Sequence, residues 1–316
     1  LRPQALSGTS GAIRGQLRGQ GPPPRAIVAS LQARLEAHDL RWRFAGHGGE
    51  PVNGRFDTVR IDAQGMRASS AEISGRLGDA RCTLKVSGGA LAPLVERRSW
   101  PLQLAGTCPG GRLNAKGRIE LAERHVAADL AFDASASRIG PIAQAFGVAP
   151  TAPHPFAARG TFVLDEKRVH ARLDALRLGR TNGSGDVDYP LGREGVPRVR
   201  ATLASVNLDE INALAGAAPA PSDPLEREVL RPNLRLPDVD FELAAERVQI
   251  AGAELRRFSA GGALRARRLP PTRFGFDWSG ASVSGEFGID FAAAAPRLQL
   301  DATARNVDLG ALIPRL

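Results

Sequence analysis

The feature that most constrains this chain is an alternation of apolar and polar residues with a period of two, repeated many times from Arg25 onward. In residues 281–291, Val283, Phe287, Ile289 and Phe291 share one phase, while Ser282, Ser284, Glu286 and Asp290 share the other. Residues 297–304 set Leu298, Leu300, Ala302 and Ala304 against Arg297, Gln299, Asp301 and Thr303. The same pattern runs through 113–121, 126–132, 162–164, 169–173, 199–203 and 239–243. A turn of 180° per residue describes a strand with one dry and one wet face. Such strands belong to antiparallel sheets, because parallel sheets bury both faces. Asn182-Gly183 and Gly110-Gly111 offer the positive-φ positions of tight hairpins. Gly48-Gly49, Gly78-Asp79 and Glu194-Gly195 mark further reversals. The expectation is a mainly β protein: a long antiparallel meander that closes into a barrel or sandwich, or stays open as a curved sheet.

Composition agrees with this reading. Of 316 residues, 43% are hydrophobic, enough to bury a core and to exclude full disorder. Only 5% are aromatic, fewer than the core of a compact enzyme usually draws on. The 35 Gly and 23 Pro fall in short, spaced clusters, as turns do. Inside the meander, three strands run into a similar phrase: 204–214, 305–313 and, more loosely, 136–143. Each is a strand end, an Asn or Asp able to cap the next turn, then one or two turns of helix bearing Leu and Ile. Residues 1–24, rich in Gly and Pro, read as an irregular lead-in with room for one strand. Residues 25–215 form a first repeating β section, 216–237 a Pro- and Ala-rich connector with a helical turn near 224–230, and 238–316 a second β section. A chain opening Leu1-Arg2-Pro3, without Met, is expected to be a processed product or a section of a longer protein.

Several function classes lose support. The net charge of +9 invites nucleic acid, but all except three of the 42 basic residues are Arg, scattered singly and without a nucleic-acid-binding motif. No nucleic-acid partner is expected. His38, His47, His125, His154 and His170 form no metal-ligand spacing, and no serine has a motif-spaced His and Asp. Gly-rich pieces such as 46–49 and 183–185 precede no helix that could cradle phosphate. The acid pairs Asp165-Glu166 and Asp186 with Asp188 read as solvated turn residues. Neither catalytic residue, cofactor nor metal is expected, and the protein is read as a non-enzyme. Cys82 alternates in phase with Leu84 and Val86, and Cys108 with Leu102 and Leu104, so both face the dry side. They are either buried free thiols or, in an oxidising compartment, a disulfide.

Residues 75–214 resemble the AsmA-like family of bacterial envelope proteins. The phrases that carry the resemblance are Gly75-Arg76-Leu77-Gly78-Asp79-Ala80, Trp100-Pro101-Leu102-Gln103-Leu104 and Gly110-Gly111-Arg112-Leu113-Asn114-Ala115-Lys116-Gly117. The passage 137–155 follows, then Pro155-Phe156-Ala157-Ala158-Arg159-Gly160 and the run Arg177-Leu178-Gly179-Arg180-Thr181-Asn182-Gly183-Ser184-Gly185. From Leu236-Pro237-Asp238-Val239-Asp240-Phe241-Glu242-Leu243 to Leu309, the chain is similar to the family's tail. The likeness covers most of residues 31–313, through β phrases whose order and spacing count for more than any one of them. It implies a periplasmic protein, anchored by its parent chain in the inner membrane, whose body is an antiparallel sheet curled into an open apolar groove with short helices at strand ends. It also implies lipid traffic between inner and outer membranes and outer-membrane biogenesis, on an architecture similar to chorein-type lipid bridges.

Physical chemistry reaches the same ligand separately. A sheet with one apolar face must cover it with a sheet, helices or a ligand, and only short helices are available. Exposing a lipid tail to water costs ~0.8 kcal/mol per methylene, roughly a dozen kcal/mol for a sixteen-carbon chain. The expected partners are phospholipid or another acyl lipid, bacterial membranes and other envelope proteins. Candidate groove-lining residues are those on the dry phase: Leu84, Val86, Leu102, Leu104, Leu113, Ile119, Leu130, Phe132, Phe162, Leu164, Leu203, Phe241, Leu243, Phe287, Ile289, Leu298 and Leu300. Two rival readings are a periplasmic assembly factor that pairs its edge strands with other envelope proteins, affecting outer-membrane protein or lipopolysaccharide homeostasis, and a cationic surface for anionic headgroups.

Overall fold

The computed structural model describes residues 6–9, 11–18, 20, 30–44, 52–77, 80–96, 98–121, 126–138, 154–192, 195–214, 238–290, 292 and 297–307. The chain is mainly β, with two short helices among these residues. It divides into two units, Leu1–Lys167 and Arg168–Leu316.

The first unit holds β1 (Leu6–Thr9), β2 (Ala12–Arg18), β3 (Gln32–Phe44), β4 (Val52–Gln64), β5 (Ser69–Leu77), β6 (Ala80–Gly88), helix α1 (Leu91–Val95), β7 (Trp100–Cys108), β8 (Gly111–Leu121), β9 (Val126–Ala136) and β10 (Phe156–Leu164). From β3 to β10 each strand pairs antiparallel with the next. The other edge of β3 is shared, β2 taking its first half and β1 its last four residues. Two strands therefore lie within residues 1–24, where an irregular lead-in with one strand is expected. The cause is visible in Ile13, Gly15 and Leu17 alternating with Arg14 and Gln16: a glycine on the dry phase hides the period.

The second unit holds β11 (Arg168–Leu178), β12 (Thr181–Pro190), β13 (Arg198–Asn207), helix α2 (Leu208–Leu214), β14 (Val239–Ile250), β15 (Ala253–Leu264), β16 (Arg268–Trp278), β17 (Ala281–Asp290) and β18 (Arg297–Arg305). Sequential neighbours again pair antiparallel, with one exception that corrects the uniform meander: β13 and β14 are parallel. Hairpins cannot join parallel strands, and here α2 and the long stretch before β14 supply the crossover length. A second correction concerns Asn182-Gly183, which sits inside β12; the turn is three residues earlier, at Gly179-Arg180, with Gly179 at φ 58°. Asp186 and Asp188 likewise lie in a strand and not at a turn. The 216–237 connector, the other two short helices and the reversals at Gly48-Gly49 and Gly78-Asp79 lie outside the described residues.

Where the cores sit follows from side-chain size. In the first unit the buried positions are mostly alanine, including Ala37, Ala115, Ala128, Ala136 and Ala158, with Val59 and Trp100. In the second, Val206, Ala245 and Val248 form a buried cluster against which Leu203, Leu255, Phe258 and, from α2, Leu208 and Ile211 pack. Among the described residues no side chain is withdrawn completely from solvent.

A candidate apolar binding face

Because cross-strand partners share a face, the strand register lines the dry-phase residues into rows running across each unit. One row reads Ile73, Leu84, Gly106, Leu113, Ala134, Ala158 from β5 to β10. The next reads Ala71, Val86, Leu104, Ala115, Phe132, Gly160, and a third Gly88, Leu102, Gly117, Leu130, Phe162. A fourth carries Trp100, Ile119, Ala128 and Leu164. Along most of each row a large side chain is followed by a small one, so bulky groups stand beside Gly and Ala.

The second unit repeats the device. Gly183, Leu203, Ala245 and Phe258 share a row, as do Val199, Phe241 and Gly262, and Ala201, Leu243, Ala260, Phe274 and Gly285. Phe287 stands between Thr272 and Leu300, and Ile289 between Leu269 and Leu298. Phe274 meets Phe276 in a stacked and Phe287 in an edge-on arrangement, with centroids 5.9 and 5.8 Å apart. All seventeen candidates lie on these rows, ten in the first unit and seven in the second. Most are half-buried; Leu113, Leu298 and Leu300 are exposed, the last two by 64% and 61%.

One end of the first unit's face is stopped. Trp100 reaches back to donate from Nε1 to the Ala90 carbonyl at 2.8 Å, just before α1. Its ring covers Gly88, where any Cβ would fall inside the indole. At the other end Cys82 and Cys108, directly opposite on β6 and β7, form a disulfide with Cα atoms 4.3 Å apart. That spacing suits a non-hydrogen-bonded cross-strand pair. On the wet face one rung away, the Thr83 and Thr107 hydroxyls meet at 2.7 Å. Closing the 26-residue separation stabilises the fold by about 3.5 kcal/mol through loop entropy.

Above the disulfide lies a cavity of about 380 Å³. Its lining is the cystine with Gly75, Gly106, Gly111 and Ala134, the larger apolar groups Phe56, Ile73, Leu84, Leu113 and Phe156, and also Arg76, Thr83, Thr107, Arg112 and Ser135. Phe56, Ile73 and Phe156 are not among the candidate residues that the alternation singles out. Phe56 lies beside an irregularity in the β4–β5 register, and Phe156 follows Pro155, so neither stands in a long alternating run. Ile73 had no such excuse: Ala71, Ile73 and Gly75 alternate against Ser70, Glu72 and Ser74.

On the wet face, charges pair across strands. Arg60 donates to Glu36 at 3.0 Å and Arg34 to Asp62 at 3.2 Å; Arg118 meets Asp129 and Arg159 meets Asp133. The Arg60 hydrogen bond holds the Glu36 carboxyl below its usual range, and the bonds from Gln64 and Arg34 do the same to Asp62. His170 Nδ1 lies 2.8 Å from Asp188, with no third ligating group beside them; no metal-holding cluster is found among the described residues. No helix there is long and apolar enough to cross a membrane. No known family model, curated protein or solved structure matches this chain.

Proposed function

We propose that this chain is a section of a non-enzymatic lipid conduit of the bacterial envelope, of the AsmA-like kind. Its dry face curls into an open groove that carries phospholipid acyl chains between inner and outer membranes. The observation that supports this reading is the row pattern: a wide apolar face, built of alternating large and small side chains, that stays half-exposed and holds a 380 Å³ cavity. Large–small rows leave room for a flexible chain, and the strand ladder pairs most of the backbone under this face with neighbouring strands. An acyl chain on such a face keeps its methylenes from water while the headgroup stays in solvent. The disulfide suits an oxidising compartment such as the periplasm, with the parent protein held at the inner membrane.

Purified protein should carry phospholipid into native mass spectrometry. Leu104→Asp, at the centre of the first unit's face, should leave the sheet folded and remove the lipid, because an open face lets the carboxylate reach water. Lipid-free protein that takes up no fluorescent fatty acid would sink the proposal. So would a Leu104→Asp variant that fails to fold, the mark of a closed core.

A further inference from the structure

On the wet face of each unit, several rows alternate in sign from strand to strand. Glu36, Arg60, Glu72 and Lys85 form one row over β3 to β6, and Asp188, Arg198 and Asp240 another over β12 to β14. Among the described residues, one row of the first unit instead keeps a single sign over four strands. Arg41 is opposite Arg55, Arg55 opposite Arg76, and Arg76 opposite Arg81. All four are exposed. Like charges placed directly opposite destabilise a sheet, so this row costs the fold something that its neighbours avoid.

The cost is offset on one side only. Asp39 lies 2.8 Å from Arg55 and 3.7 Å from Arg41, and Asp57 lies 3.5 Å from Arg55. Among the described residues no carboxylate pairs with Arg76 or Arg81. Two guanidinium groups on neighbouring strands, ~5 Å apart at their backbones, thus face solvent with their charge uncompensated. Guanidinium forks match the oxygens of a phosphate two at a time, and weak hydration makes arginine the cation that gives up water for such a partner.

We propose that Arg76 and Arg81 form an anion site for a phosphate group, a monoester or diester, bridged between the two guanidinium groups, with Arg41 and Arg55 extending the positive field along the row. Arg76 also lines the 380 Å³ cavity, but the inference stands on the arginine row and does not rest on the lipid reading of the apolar face. The phosphate belongs to a lipid headgroup or to a free phosphorylated solute, and two ligands separate these sources.

The test uses the whole chain at low salt. Inorganic pyrophosphate is titrated while the melting midpoint is followed, and binding to phosphatidylglycerol vesicles is measured by flotation. Arg76→Gln/Arg81→Gln is compared with Arg118→Gln/Arg172→Gln, which removes the same charge elsewhere. The expected result is binding by the parent chain and by the control, weakened at least tenfold in the Arg76/Arg81 variant. Pyrophosphate binding without vesicle binding assigns the site to a solute, and vesicle binding alone to a headgroup. The Arg76/Arg81 variant should also melt higher than the parent in phosphate-free buffer, by about 1–3 °C, as repulsion is relieved. Binding of neither ligand, binding equal in the two double variants, or a lower midpoint in the Arg76/Arg81 variant would each overturn the proposal.

Discussion

At the scale of single residues, the wet face is held in order by exposed ion pairs worth little each and useful mainly for register. Glu36 is the clearest case, since Arg60 donates to it and His38 and Arg14 add favourable charge. Its folded-state pKa is lowered, so its contribution is present above the unfolded carboxylate pKa and is lost as pH falls through the folded value. Replacing Arg60 by Gln removes the largest cause of the shift. The Glu36 carboxyl should then titrate closer to the ordinary carboxylate range, and stability should lose part of its dependence on pH below 5. Side-chain carboxyl NMR titration of parent and variant reads this directly; an unmoved Glu36 would show that the hydrogen bond does not set its charge.

At the scale of elements, α2 shows how a strand is converted into a helix. Asn207, buried at the end of β13, accepts the Glu210 N–H at its Oδ1 at 2.9 Å, and its Nδ2 donates to Gln249 on β14. One side chain thus caps the helix and ties it to the parallel neighbour. Asn207→Ala should cost about 1–2 kcal/mol in urea unfolding, while Asn207→Asp, which retains the cap acceptor, should cost less. A cap was legible in the sequence as an Asn or Asp between an alternating run and a Leu/Ile helix, but that Asn207 and not Asp209 makes it came from the hydrogen bond. The strands were legible because period two survives wherever apolar residues fill the dry phase. Legibility failed where glycine fills that phase, as in β2 and at Asn182-Gly183, since glycine signals a turn and a close approach equally well. It failed again at β13 and β14, because strand direction depends on what the connection can span and not on residues within the strands. Of the candidate face, the sequence showed only which residues share a phase along each strand. It could not show the rows, since register comes from pairing, and therefore hid the four-arginine row and the cavity.

At the scale of the whole molecule, the question is what the dry face is for, and stability and function separate the answers. A face serving as a core should gain from every added carbon that fits, whereas a face holding a ligand should gain stability and lose capacity together. Gly106 allows that comparison. It lies within β7 and lines the cavity, and a Cβ there would meet Leu84 and Leu113 at 3.6 Å, an ordinary contact. Neither turn geometry nor a clash requires glycine at this position. An alanine also restricts the unfolded chain and should stabilise by about 0.5–1 kcal/mol. Valine would fill more of the cavity. If acyl chains occupy it, fatty-acid uptake should fall from glycine to alanine to valine while the alanine variant unfolds at higher urea than the parent. Stabilisation with undiminished uptake would place the ligand elsewhere on the face. A loss of stability in the alanine variant would mean that the rows are packed as tightly as a core, with no trough left for a chain.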